Sequence, residues 1–225
     1  MMLSKSEVAV LGIVVLSFLL GLYAYPQMSD KVASHWNAAG EVDGYMPKFW
    51  GTFFVPILIA VLGACFMLLP KIDPLRGNYA KFRPQYNGFV LLLMLFMLAI
   101  YVQTLLWNTG TKIGMVATMP IGIGLLFFYV GMMCEKAERN WFVGIRTPWS
   151  MSSDAVWKKT NVLGGKLFKL CGVLAIVGIL FKGYEIWFVL VPVLLAAAYT
   201  FIYSYLEYQK EQGKNKEKGK KTGRR

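Results

Sequence analysis

Two stretches of this chain hold residues whose types and spacing could do chemistry. The first surrounds the one histidine, His35, with Glu41 and Asp43 close behind it. An imidazole beside carboxylates is the raw material of a metal site or an acid–base pair. A lone histidine is a poor start for zinc, however, and the residues between are turn material. Gly40 and Gly44 accept positive φ, and the short side chains of Asn37 and Asp43 bond nearby main-chain amides. His35, Asn37 and Asp43 therefore keep two readings, a ligand-facing set or a loop bonded to itself. Trp36, Tyr45, Phe49 and Trp50 add aromatic surface, and together the stretch predicts a compact, ordered lid.

The second stretch is Asn140–Asn161, NWFVGIRTPWSMSSDAVWKKTN. It holds three of the seven tryptophans, Trp141, Trp149 and Trp157, and sets Arg146 among Gly144, Thr147 and Pro148. A planar guanidinium forks to a carboxylate, to phosphate or to main-chain carbonyls at a helix end. Thr147 is held extended by the proline after it. Ser152 or Ser153 is placed to cap a short helix with Asp154 in its first turn, which puts Val156 and Trp157 against headgroups or the bundle. The stretch is either a docking surface or a packed plug, and Arg146 either meets a partner or pins the segment; the two roles are compatible.

What positions these stretches is a membrane. Of the 225 residues, 56% are hydrophobic, and they come in blocks rather than in the mixed pattern of a soluble core. Six blocks read as transmembrane helices, at 7–25, 50–69, 87–107, 112–134, 161–181 and 185–207. Each strong block approaches the ~20 residues that cross ~30 Å of hydrocarbon, and β-alternation is absent. The fold class is thus an all-α integral membrane bundle of about six helices. The His35 stretch lies in the loop 26–50, the Arg146 stretch in the loop 134–161. With six spans both termini share a side. That side collects 20 of the 24 Lys and Arg residues, which makes it cytoplasmic by the positive-inside rule. The same clustering argues against nucleic-acid binding. Residues 1–206 form the membrane domain, and the basic tail 207–225, with no apolar period, is expected to be disordered and drawn to anionic headgroups.

Inside the spans, Pro56, Pro120 and Pro192 lie at a similar depth and could splay the outer halves into a vestibule. Gly114, Thr118 and Gly122 make a small-residue stripe for close helix packing. No charged residue sits near the centre of a strong span, and no metalloprotease, nucleophile-elbow or phosphate-loop motif is present. The three cysteines, Cys65, Cys134 and Cys171, lie in or beside apolar blocks and read as buried thiols. The expectation is no enzyme, no cofactor and no metal.

His35-Trp-Asn-Ala-Ala-Gly-Glu-Val-Asp-Gly-Tyr45 resembles the signature of the DUF1648 domain, and Asn140-Trp-Phe-Val-Gly-Ile-Arg-Thr-Pro-Trp149 with Asp154 to Trp157 resembles the core of the SdpI family. The pair, in this order on six spans, resembles SdpI-type membrane proteins over nearly the whole chain, with 7–69 as the DUF1648-like part and 87–206 as the SdpI-like part. The sequence departs from the usual motifs at Ser29 and Ala33, at Met46-Pro47 and at Asn161, where a histidine is common. The resemblance implies a cell-membrane immunity protein. Its partners would be the bilayer, a secreted membrane-active peptide toxin of the SdpC type and, in signalling members, a cytoplasmic transcriptional repressor. His35, Trp36, Asn37, Gly40, Asp43, Gly44 and Tyr45 would face the toxin. Asn140, Trp141, Gly144, Arg146, Thr147, Pro148, Trp149 and Trp157 would form the inner partner or structural motif. The alternative is a transporter or channel for a small or lipidic substrate passing the proline-lined vestibule.

Overall fold

The structure, a computed structural model, describes residues 4–222. Among them, six helices are long and apolar enough to cross a membrane, as the apolar blocks predict. They are α1 (Lys5–Ala24), α2 (Lys48–Ile72), α3 (Arg83–Asn108), α4 (Met115–Lys136), α6 (Asp154–Val177) and α7 (Glu185–Thr222). A short helix, α5 (Pro148–Ser152), stands between α4 and α6. The loop between α1 and α2 is an antiparallel hairpin of β1 (Lys31–Trp36) and β2 (Val42–Pro47). The chain enters α1 through a capping box: Ser4 Oγ accepts from the Glu7 amide and the Ser4 amide donates to Glu7 Oε2.

The helices pack as two groups. In the first, α1, α2 and α3 share a core that includes Val10, Ile13, Ile59, Val90 and Met94. In the second, α4 and α6 lie so close that their backbones touch. A side chain at Gly131 would meet the Gly165 carbonyl, one at Gly165 the Gly131 carbonyl, and Gly124 and Gly172 are related in the same way. Both helices therefore present glycines seven residues apart on an antiparallel seam, the small-residue packing that hydrocarbon favours because lipid tails compete with larger side chains. Lys169 closes this seam by pairing with Glu135 at 2.7 Å. The stripe expected from Gly114, Thr118 and Gly122 divides instead: Gly114 caps α4 in open space, Thr118 donates to Gln103 Oε1 at 2.8 Å, and Gly122 takes the ring of Phe96 from α3.

Two boundaries differ from those read in the sequence. The fifth span begins at Asp154, not near 161. Its first turns carry Lys158 and Lys159, which mask an amphipathic face of Val156, Trp157, Thr160, Asn161, Gly164 and Gly165, all buried. The tail expected to be disordered from 207 continues α7 as helix through Thr222, and residues 223–225 lie outside the described part. Glu207 explains the first of these extra turns, because it accepts from Lys159 of α6 at 2.6 Å and from Lys210 one turn on at 2.8 Å. At 1.5 Å per residue the 38 residues of α7 run about 57 Å, well past a ~30 Å hydrocarbon layer.

The ends of the bundle are distinct. Lys71 approaches Glu7, the α2–α3 connection meets the residues after α4, and α6 pairs with α7 through Lys159 and Glu207. Both chain ends thus share one face, called here the basic face, and the hairpin covers the other.

Candidate functional site

On the hairpin face, the tip is built by Asn37. Its amide donates to the Glu41 carbonyl at 2.9 Å, and its Oδ1 accepts from the amides of Ala39 and Glu41 at 2.9 and 3.0 Å. Its Nδ2 donates to Glu41 Oε2 at 3.1 Å. Gly40 turns the chain at φ +79°. Across the strands His35 faces Gly44, where a side chain would strike the His35 Cβ, and His35 Nδ1 lies 2.5 Å from Asp43 Oδ1. The reading of a loop bonded to itself therefore describes Asn37 and the His35–Asp43 pair. The side chains of His35 and Asp43 are nonetheless exposed, by 70% and 44%, and Tyr45 stands out at 62%. Among the described residues no three His, Cys, Asp or Glu side chains converge, so His35, Asp43 and Glu41 do not form a common cluster.

The hairpin is clamped to the helices. Asn108, the last residue of α3, accepts from the Ala33 amide at 2.8 Å and donates to the Ala33 carbonyl at 3.0 Å, matching both main-chain groups of one strand residue. Val32 is fully buried over Gly51, where any side chain would collide with it. Trp36 meets Trp107 edge to face at 5.6 Å, and Lys112 lies over the Trp107 ring. What remains on the surface is aromatic: Tyr45, Phe49 and Trp50 are each at least half exposed. A rigid platform with exposed rings is the arrangement expected where a protein meets headgroups or an amphipathic ligand.

On the basic face, the residues from Arg139 to Ser153 fold into a plug held by buried side chains. Asn140 is its centre and is fully buried. Its Oδ1 accepts from the amides of Phe142 and Val143 at 3.0 and 2.6 Å, and its Nδ2 donates to the carbonyls of Glu138 and Val143, both at 2.8 Å. Gly144 follows at φ +110°, a conformation reserved for glycine, packed on Asn161 Oδ1 and the ring of Trp157. Asn161 Oδ1 accepts from the Ile145 amide at 2.8 Å, so an amide at this position does the work of fixing the loop to α6. Trp157 is buried in the bundle and donates through Nε1 to the Ala137 carbonyl at 2.8 Å.

The next residues tie the plug to α7. Thr147 is extended ahead of Pro148 and caps α5 by accepting from the Ser150 amide, while its hydroxyl bonds Ser204 of α7 at 2.9 Å. Ser150 Oγ donates to the Ile145 carbonyl. Trp149 packs edge-on against Phe201 and Tyr205. Ser153 then caps α6 with Asp154 in its first turn, as expected, although the helix it opens is the fifth span itself and the short helix is the one capped by Thr147.

Arg146 takes the main-chain option. Its Nη1 donates to the Trp141 carbonyl, bridging the two ends of the turn, and the side chain is otherwise exposed. Asp154, the nearby carboxylate, pairs with Arg139 at 2.8 Å instead. Trp141 and Phe142 are also exposed, 51% and 38%. The motif thus divides into a buried scaffold, including Asn140, Thr147 and Trp157, and an exposed part of Trp141, Phe142, Arg146 and Pro148.

The connection between α2 and α3 completes the plug, and no motif residue announces it. Buried Asp73 accepts from the Trp141 amide at 2.9 Å, Asn78 donates to the Arg139 carbonyl at 2.6 Å, and the Tyr79 hydroxyl reaches Asn140 Oδ1 at 3.4 Å. Burial, and then the charge of Asp73, hold the Tyr79 phenol above its ordinary range, so it remains a donor. These bonds join the first helix group to the second.

Residues 12–60, spanning α1, the hairpin and the start of α2, match DUF1648, a domain of unknown function. Residues 136–204, spanning the plug, α6 and most of the membrane part of α7, match the SdpI/YfhL protein family. Over 210 residues the chain is 28% identical to the Immunity protein SdpI of Bacillus subtilis (strain 168), covering 93% of this chain and 99% of that protein. No solved structure matches significantly.

Proposed function

We propose that this SdpI/YfhL-type membrane protein is an immunity protein, one that protects the cell producing it from a secreted, membrane-active peptide of the SdpC type. The similarity to Immunity protein SdpI over 93% of this chain and 99% of that protein carries this reading. The basic face is assigned to the cytoplasm, since 18 of the 22 Lys and Arg residues among the described residues lie on it. The hairpin then stands outside, where a toxin arrives, and its exposed Tyr45, Phe49 and Trp50 with the His35–Asp43 pair form the contact surface. An amphipathic peptide would lay its apolar side on these rings at the headgroup level. On the inner face the exposed Trp141, Phe142, Arg146 and Pro148 are open to a cytoplasmic regulator.

The test is the membrane potential of a toxin-sensitive bacterium challenged with a purified SdpC-type peptide. Cells expressing this chain should hold their potential at peptide concentrations that depolarise cells carrying an empty vector. Equal depolarisation, with the protein present in the membrane, would remove the proposal.

A further inference from the structure

At the basic end of the bundle the two helix groups do not close completely. A cavity of about 270 Å³ lies between Phe66 of α2, Phe89 of α3, Val130 and Met133 of α4 and Phe168 of α6, and it is roofed by the turn Phe142–Ile145. Its walls are mostly apolar, and it is partly open. An apolar cavity does not hold water, because water there finds no hydrogen-bond partners. Among membrane spans the medium available to fill it is hydrocarbon, and a volume of this size accepts a stretch of one acyl chain.

The roof supplies the other half of a lipid site. Arg146 spans the same turn, from Ile145 on the cavity wall back to the Trp141 carbonyl. Of the five N–H donors of a guanidinium, one serves that carbonyl while the side chain remains exposed beside exposed Trp141 and Phe142. A planar cation and an exposed tryptophan on the residues that flank the turn lining an apolar slot match a phosphodiester next to its acyl chain.

We infer that this seam binds one anionic phospholipid, with an acyl chain in the cavity between α2–α3 and α4–α6 and the phosphate on Arg146. The bound lipid stands in for side chains that neither helix group provides, and completes the contact between them.

Native mass spectrometry of the purified full chain tests this, with dioleoyl phosphatidylglycerol and dioleoyl phosphatidylcholine added in parallel. The wild type should retain one phosphatidylglycerol roughly tenfold more tightly than phosphatidylcholine, the difference a charge-assisted contact supplies. Arg146→Gln, at an exposed position that leaves the fold intact, should bring the two lipids to parity. Val130→Trp, which fills the cavity, should lose the retained lipid of either kind. Undiminished preference for phosphatidylglycerol in Arg146→Gln would overturn the inference, as would retention by a folded Val130→Trp equal to the wild type.

Discussion

Replacing Asn140 by alanine should be among the most damaging single changes in this chain, and the geometry gives its size. The side chain is fully buried and satisfies four main-chain groups. Phe142 and Glu138 are exposed enough for their main-chain groups to reach water, but the amide and carbonyl of buried Val143 would lose their partner. Each stranded buried group costs about 1–2 kcal/mol, so Asn140→Ala should destabilise by about 2–4 kcal/mol. For a chain of this length that lowers a thermal midpoint by at least about 4 °C. Tryptophan fluorescence of the detergent-purified protein reads the midpoint, because Trp157 is buried beside the plug. Arg146→Ala removes one hydrogen bond from an exposed residue and should cost at most about 1 kcal/mol. The contrast isolates the amide. An Asn140→Ala protein melting within about 2 °C of the wild type would refute the reasoning that the turn hangs on this side chain.

Other positions carry equally specific expectations. Gly131→Val places a side chain against the Gly165 carbonyl, where backbone faces backbone, and should destabilise by about 1–3 kcal/mol or more; a fall in thermal midpoint in detergent checks it. Asn108→Ala removes both bonds to Ala33 and should raise amide exchange across residues 31–47 while leaving α4 and α6 unchanged, as hydrogen-exchange mass spectrometry would show. His35→Ala breaks only an exposed pair with Asp43, so its midpoint should move by no more than about 1 kcal/mol allows; any loss of protection in that variant then reports lost contact rather than lost fold.

The six spans were legible in the sequence because hydrocarbon imposes a length and a composition that little else imitates. The Thr147-Pro148 break and the Ser153 cap were legible for a local reason, since main-chain sterics and capping depend on neighbouring residues alone. The turn at Asn37 and Gly40 was legible in the same way, although the strands it joins were not: β1 is six residues long, and its inward side rests on Val32 and Ala33 alone. The start of α6 was hidden because Lys158 and Lys159 lower the hydropathy of turns whose opposite side is buried. The glycine seam was readable as a spacing of seven on two helices, at 124 and 131 and at 165 and 172, but only a pairing of α4 with α6 gives that spacing meaning. The share of the site contributed by Asp73, Asn78 and Tyr79 was beyond reach. Their partners lie more than sixty residues away, and nothing local in a short polar loop distinguishes a carboxylate that receives the Trp141 amide from one in water.

Colony survival is the most direct test of the account. A toxin-sensitive bacterium expressing the wild type, His35→Ala or Arg146→Ala at matched membrane levels would be challenged with a purified SdpC-type peptide. The account predicts protection by the wild type and its loss in His35→Ala with the thermal midpoint preserved. Wild-type cells killed at the same peptide concentration as the empty-vector control would contradict it.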